Sequence, residues 1–233
     1  MAIIHNTTMS PSKLELLTLW LPAQPWYAGT GRVPELTKAG GFRLDDPQGQ
    51  VGIEFMVVTD RSGDRATTYL VPLTYRAGAL AGADDGLIGT AEHGVLGRRW
   101  IYDGTHDRVL VAQLVALIQG EAEPQAQGVS DTTDPTVIGQ PAADGLLTVV
   151  EFTTAASSPS GTDLRVETAG ADGRPSGQLI VRVNRILQPD GCLPQAAEAG
   201  QPCLSATWRL PDGTHVRGIL ATAQYTPVPA ARP

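Results

Sequence analysis

Cysteine is scarce in this 233-residue chain, which has two cysteines, and aromatic residues make up 5% of it. Two cysteines cannot form a disulfide framework, and their positions do not give the CxxC spacing typical of zinc or redox sites. We therefore expect Cys192 and Cys203 to be reduced thiols, with a single disulfide between them as the less favoured alternative.

Basic residues are also fewer than acidic ones. The 17 Lys and Arg residues and the 24 Asp and Glu residues give a net charge of −7. Nucleic acids and anionic membranes bind basic patches, so this balance argues against both as partners. The longest apolar run, residues 109–118, is interrupted by Gln113 and is shorter than the roughly 20 residues of a membrane-spanning helix. The first residues lack the basic and apolar stretches of a secretory signal, so we expect a cytoplasmic protein.

The sequence does contain enough apolar residues for a packed core, 42%, together with 26 glycines and 18 prolines. This composition excludes wholesale disorder and indicates many turns and short elements rather than long helices or a coiled coil. At roughly 150 residues per domain, the length allows one large domain or two small ones.

The first half of the chain predicts a helix followed by a β-hairpin. Ser10 and Pro11 precede an apolar stripe at helical spacing, so a helix is expected over residues 10–21 with Ser10 as its N-cap. Two β-rich runs, 51–59 and 67–75, flank a polar connector that contains glycine. This pattern is typical of an antiparallel hairpin.

A short strand over residues 98–102 and an amphipathic helix over 109–118 follow the hairpin. Residues 121–145 are rich in Pro, Gln, Ser, Thr and Gly, which is the composition of a linker. Beyond the linker, five β-rich runs are each bounded by Gly, Pro or Asp: 146–154, 164–168, 178–187, 204–210 and 215–225. Residues 226–233 contain three prolines and are expected to fray.

Three blocks in the first half carry a resemblance to a known family. They are the decapeptide Trp20-Leu21-Pro22-Ala23-Gln24-Pro25-Trp26-Tyr27-Ala28-Gly29, the hairpin, and Leu87-Ile88-Gly89 with Tyr102-Asp103 ahead of the second helix. In order and spacing these blocks resemble the N-terminal cap domain of actinobacterial maltokinases and the related aminosugar kinases. The resemblance implies an antiparallel sheet with packed helices, loosely cystatin-like, that precedes a two-lobed kinase.

Residues 146–225 in turn resemble a kinase N-lobe, and residues 177–189 are similar to the family's strand with the phosphate-anchoring lysine. Arg182 stands where that lysine would be, and the two lysines of the chain, Lys13 and Lys38, both lie in the cap-like part. A guanidinium can pair with phosphate but does not replace a compact ammonium group. The sequence stops soon after the presumed hinge, so we expect no C-lobe with its catalytic and metal-binding residues.

Other motifs permit chemistry but have simpler explanations. Residues 161–177 carry glycines between candidate strands, and an ordinary hairpin is favoured there over a phosphate-binding loop. Glu92-His93 and His106-Asp107, with Asp103 nearby, pair an imidazole with a carboxylate as a general base requires. Such pairs are more often helix caps or surface groups. We therefore predict no catalytic residue, no cofactor and no metal ligand.

The few aromatic residues are candidates either for the core or for binding a ligand. Trp20 lies on the predicted helix, so we expect it in the core between that helix and the sheet. Trp26 and Tyr27 lie in a loop flanked by Pro and Gly and fit either role equally well. With Trp100 they form the predicted partner-binding or ligand-binding set, because Trp and Tyr dominate binding hot spots.

These features predict an α+β protein with a cap-like domain over residues 1–120, a linker over 121–145, an antiparallel β module over 146–225 and a Pro-rich tail. The resemblance implies a non-catalytic accessory or regulatory protein that binds an enzyme of α-glucan, trehalose or maltose 1-phosphate metabolism. The alternative is a nucleotide-binding pseudokinase fragment, or half of a kinase completed in trans, that holds phosphate through Arg182. A homodimer through exposed strand edges is also open.

Overall fold

The structure is a computed structural model that describes residues 9–29, 31–129, 131–141, 148–169, 173, 175–189 and 201–227. The α-helices in these residues are α1, Lys13–Trp20, and α2, Arg108–Ile118. The strands in chain order are β1 Met9–Ser10, β2 Leu36–Leu44, β3 Gly52–Asp60, β4 Thr67–Arg76, β5 Leu87–His93, β6 Gly97–Asp103, β7 Gln125–Ala126, β8 Ile138–Gln140, β9 Thr148–Ser158, β10 Gly161–Ala169, β11 Pro175–Val183, β12 Cys203–Arg209 and β13 His215–Pro227. Neither of the described helices is long and apolar enough to cross a membrane.

The N-cap of helix α1 lies two residues later than the sequence predicts. It is Ser12 and not Ser10, because Ser12 Oγ accepts a hydrogen bond of 3.3 Å from Glu15 N while Glu15 Oε2 accepts one of 2.7 Å from Ser12 N. This reciprocal capping box satisfies two backbone N–H groups that the first turn leaves without partners. Leu16 and Leu17 are buried and bring the helix against the sheet.

The strands form one antiparallel sheet whose main path is β1-β5-β6-β4-β3-β2-β12-β13-β11-β10-β9. The predicted hairpin is confirmed, because β3 and β4 pair without a break from Gly52 and Tyr75 to Asp60 and Thr67. Strand β5 was not predicted, since Gly89 and two adjacent apolar residues interrupt the alternation that marks a half-buried strand. The α+β prediction is thus confirmed in its coarser form, as a mostly antiparallel sheet with two short helices.

The two helices cover opposite faces of the sheet at β3 and β4. Met56 and Val58 of β3 pack in one core with Leu17 of α1, whereas Phe55 and Val57 pack in a second core with α2. Side chains alternate between the two faces of a strand, so one continuous apolar run supplies both cores. This double coverage explains why almost every residue of β3 is buried.

The five strands predicted after residue 145 are confirmed as β9 to β13, with bounds that overlap the predicted ones. They join the N-terminal strands where Gly40 of β2 pairs with Trp208 of β12. A Cβ atom on Gly40 would lie 3.3 Å from Trp208 Cβ, so this close approach of two strands favours glycine.

A second connection links β4 to the residues that follow β11. Leu70 N donates a hydrogen bond of 2.9 Å to Arg185 O, and Leu187 N donates one of 2.8 Å to Thr68 O. The core that contains α2 includes apolar residues of both the N-terminal and the C-terminal strands. The described parts of the two predicted modules therefore share one sheet and one core.

The segment predicted as a linker, 121–145, contributes β7, which pairs with β2, and β8, which pairs with β12. Val137, just before β8, is buried in the core with α2. The division into modules 1–120 and 146–225 stays a prediction about units that fold by themselves. The comparisons with cystatins and with a kinase N-lobe also stay predictions, and residues 228–233 of the tail lie outside the described residues.

Candidate functional site

Arg182, the residue predicted to contact phosphate, lies on β11 directly opposite Asp163 of β10. Its Nε and Nη2 atoms each donate a hydrogen bond of 2.7 Å to one oxygen of the Asp163 carboxylate. These hydrogen bonds raise the pKa of Arg182. A phosphate at this place would compete with Asp163 for the same donors, so the predicted contact requires this ion pair to open.

Trp26, a predicted partner-binding residue, lies in the core and is 1% exposed. Its ring centroid is 5.8 Å from that of Trp20 and 5.9 Å from that of Tyr69. The guanidinium carbon of Arg185 lies 4.8 Å from the centre of the same ring. Trp20 is partly buried beside it, in the position expected from the sequence. A partner would reach Trp26 only after these neighbours had moved.

Tyr27 and Trp100 are half-buried and keep part of their rings on the surface. Tyr27 OH donates a hydrogen bond of 2.8 Å to Asp60 Oδ2. Burial, and then the hydrogen bond and charge of Asp60, raise the pKa of Tyr27 to about 12. On β6, the Arg98 guanidinium carbon lies 5.5 Å from the centre of the Trp100 ring. These two aromatic residues are the ones from the predicted set that a partner can reach directly.

His93 and Asp107, which belong to the two imidazole–carboxylate pairs of the sequence, have structural roles. His93 Nδ1 accepts hydrogen bonds from two backbone N–H groups of the turn between β5 and β6. Asp107 is the N-cap of α2, where its Oδ1 accepts a hydrogen bond of 3.0 Å from Val109 N. The same carboxylate accepts hydrogen bonds of 2.6 and 2.7 Å from Arg76. Asp107 therefore caps α2, as the favoured interpretation of this pattern predicts, and it is in addition an ion-pair partner of Arg76.

Asp103, the remaining candidate acid, binds Arg185, which the sequence alone does not mark as a site residue. Arg185 Nη2 donates hydrogen bonds of 2.5 Å to Asp103 Oδ2 and 2.9 Å to Thr105 Oγ1, and its Nε donates one of 2.8 Å to Thr162 Oγ1. The side chains of Arg185 and Asp103 are 0% and 3% exposed. Since Asp103 ends β6 and Arg185 follows β11, this buried ion pair joins the two halves of the chain.

A second buried carboxylate, Glu54 of β3, organises a polar cluster on the α1 side of the sheet. Glu54 Oε2 accepts hydrogen bonds of 2.6 Å from Lys13 Nζ and 2.5 Å from Tyr75 OH, and Oε1 accepts one of 2.5 Å from Gln127 Nε2. We call these four residues the Glu54 cluster. Burial opposes the ionisation of Glu54, but the charge of Lys13 and the three hydrogen bonds outweigh it and lower its pKa.

Glu54→Gln is expected to lower the free energy of unfolding by about 1–3 kcal/mol at pH 7, because hydrogen bonds to a charged group are lost. The folded-state pKa of Glu54 is below its unfolded value, so its stabilising effect is complete above about pH 4.5 and is lost as the pH falls through the folded pKa. Urea unfolding from pH 7 to pH 3 should show the two proteins converging. Glu151→Gln, at an exposed glutamate of β9, is the matched control. A constant difference across this range would contradict the assignment.

Two further patterns have structural outcomes. Within the glycine-bearing stretch 161–177, β10 and the first residues of β11 pair antiparallel, as the favoured hairpin interpretation predicts. Residues 170–172 and 174 of the connection lie outside the described residues. Cys203 Sγ lies 3.6 Å from Gln140 Oε1 and donates a hydrogen bond to it, and Cys192 lies outside the described residues. Within the described ranges, no group of three His, Cys, Asp or Glu side chains is arranged to hold a metal ion.

Comparison with known proteins gives a family-model match within the first half of the chain. Residues 20–107 match the family model described as the maltokinase N-terminal cap domain. The match covers the decapeptide and the hairpin that carry the resemblance, and residues 146–225 lie outside it. No curated protein matches the chain.

Proposed function

We propose that this chain has a maltokinase-related role as a non-catalytic accessory or regulatory protein that binds a partner. The proposal starts from the match of residues 20–107 to the family model of the maltokinase N-terminal cap domain. The proposed partner is an enzyme of α-glucan, trehalose or maltose 1-phosphate metabolism, and the proposed location is the cytoplasm. The observation that carries the proposal is the use of the candidate catalytic acids, Asp103 and Asp107, as buried partners of arginines.

A general base needs a carboxylate or an imidazole that can accept a proton from a bound substrate. In Asp107 both oxygens accept hydrogen bonds from Arg76, and in Asp103 one oxygen holds Arg185 while the other holds Thr105. These two carboxylates therefore stabilise the interior. Their burial supports a function that depends on the protein surface. The half-buried Trp100 with its neighbour Arg98 is the part of that surface best suited to a partner, because Trp and Arg are enriched in binding hot spots.

The proposal predicts that the purified chain, incubated with ATP, Mg²⁺ and maltose, transfers no γ-phosphate, and that the tagged chain captures an α-glucan or trehalose enzyme from native lysate. The captured enzyme, once purified, should bind the chain in a two-component assay. Trp100→Ala is expected to weaken this binding at least about tenfold, as a hot-spot truncation does. Leu19→Ala, at an apolar residue of α1 that is 82% exposed, is the matched control.

Phosphate transfer by the chain alone would contradict the proposal, and so would capture that returns only the chain itself. The alternative, a nucleotide-binding fragment or a half-kinase completed in trans, predicts heat on ATP titration that Arg182→Ala abolishes. The ion pair of Arg182 with Asp163 leads us to expect no such difference between the wild type and this variant.

A further inference from the structure

The sheet ends at β9, which has a neighbouring strand on one side. In the part of the chain that the structure describes, β9 pairs with β10 and with no other strand. The opposite end of the sheet is β1, which has two residues. A short edge strand offers few backbone groups to another chain. Strand β9 has 11 residues, so its outer edge presents a longer row of backbone N–H and C=O groups.

The first half of this edge carries features that oppose pairing with another chain. Val150 and Thr153 lie at two β-bulges, where β9 has an extra residue relative to β10. Bulges bend a strand and increase its twist. Glu151, the one charged residue of β9, lies between them. Because bulges and charged side chains are the means by which edge strands avoid pairing, residues 148–153 are protected.

The second half of the edge, residues 154–158, has none of these features. It pairs with residues 161–165 of β10 in unbroken register. Its sequence, Thr-Ala-Ala-Ser-Ser, contains no charged residue and no proline. None of these side chains is buried. A second strand can therefore approach this part of the edge without burying a charge or displacing a bulky side chain.

We propose that residues 154–158 of β9 pair antiparallel with the same residues of a second copy of this chain, about a two-fold axis at Ala156. In this register Thr154 of one protomer faces Ser158 of its partner, and Ala155 faces Ser157. Cross-strand pairs of Thr and Ser can form hydrogen bonds. The proposal assigns a strand edge to the homodimer that the sequence leaves open.

The charges next to this segment permit two copies to approach, although each chain has a net charge of −7. Two charged residues of β10 lie opposite residues 154–158. One is Asp163, whose carboxylate is bound by Arg182. The other is Arg165, opposite Thr154, and in an antiparallel pair the Arg165 side chains of the two protomers lie at opposite ends of the contact. Glu151 lies outside the paired residues, so it does not face its own copy.

A second copy suits this edge because a two-fold contact uses the same surface on both protomers, so that one sequence has to fit both sides. Residues 154–158 meet this condition, since all of them are small and uncharged. Main-chain hydrogen bonds supply the attraction when a strand is added to an edge. The paired segment is short, so we expect a weak dimer with a Kd on the order of 100 µM. The dimer does not depend on the proposed accessory role.

The test is sedimentation velocity of the whole chain at concentrations up to about 1 mM, ten times the expected Kd. The wild type should pass from monomer to dimer over this range. Ala156→Lys is expected to weaken the dimer at least about tenfold, because two like charges then face each other at the axis. Leu19→Lys is the matched control, since it adds the same charge at an exposed residue of α1, away from β9. This control should form dimers as the wild type does.

Mixing two variants tests the two-fold axis itself. Ala156→Lys and Ala156→Glu, each monomeric alone, should form dimers when combined in equal amounts, because opposite charges then face each other. Circular dichroism of both variants checks that the fold is retained, as expected for an exposed position. A wild type that stays monomeric, equal dimers of Ala156→Lys and Leu19→Lys, or a folded mixture without dimers would each overturn the proposal. A peptide segment of another protein as the occupant would give the first of these results. The capture experiment on the accessory role is unaffected by any of them.

Discussion

Arg185→Met is expected to lower the free energy of unfolding by about 3–5 kcal/mol, because it leaves the Asp103 carboxylate buried without its charged partner. The Asp103 side chain is 3% exposed and Arg185 is fully buried, so water cannot replace the lost hydrogen bonds in the folded state. The substitution also removes the guanidinium from above the Trp26 ring. A loss of this size is a large part of the roughly 5–15 kcal/mol by which domains are stable. Urea unfolding followed by tryptophan fluorescence measures it.

Two variants make the cause of this loss testable. Arg182→Met breaks an ion pair whose side chains are 43% and 31% exposed, so it should cost less than about 1 kcal/mol. Asp103→Asn combined with Arg185→Met should cost less than the sum of the two single changes, because the double variant no longer buries an isolated charge. If Arg185→Met and Arg182→Met were equally mild, the interior role of Arg185 would be refuted.

Trp26→Ala is expected to be the second large effect, a loss of about 3–5 kcal/mol, because a fully buried indole is replaced by a cavity. The ring is 1% exposed and has Trp20, Tyr69 and Arg185 as neighbours. Trp100→Ala is the matched control, since its ring is half-buried and its loss opens no closed cavity.

Thermal and urea unfolding of both tryptophan variants separates a core role from a binding role. A core residue loses stability on truncation, whereas a binding residue loses affinity while the fold is retained. Trp26→Ala should therefore melt well below Trp100→Ala. A Trp26→Ala protein of wild-type stability that no longer bound a partner would reverse our assignment of this residue to the core.

The sequence predicted most of the elements because alternation and helical spacing are local signals. The hairpin of β3 and β4, the helix α2 and the strands β9 to β13 all follow apolar patterns bounded by turn-forming residues. Strand β5 and the start of α1 were missed or misplaced for local reasons. Gly89 interrupts the pattern of the strand, and Ser12 rather than Ser10 has a glutamate three residues further on to complete a capping box.

The candidate site could be predicted much less well, because a side chain's partner is not a local property. Arg182 was singled out by its position in a strand, but the strand across from it supplies Asp163. The sequence fits Trp26 to a core role and a binding role equally well, because its burial depends on Tyr69 and Arg185, which lie 43 and 159 positions further along the chain. An acid within an apolar strand, such as Glu54, does signal a buried partner, although the sequence does not say which residue it is.

By itself, the sequence determined the order of most of the elements, the negative net charge and the match of residues 20–107 to the maltokinase cap model, since pattern, composition and motif are local properties of the chain. The tertiary structure decided which ionisable groups are neutralised by a partner. The pairings of Asp103 with Arg185 and of Glu54 with Lys13 span 82 and 41 positions. Contacts over such separations exist only after the helices and strands have packed together, because only then do distant side chains share a low-dielectric interior.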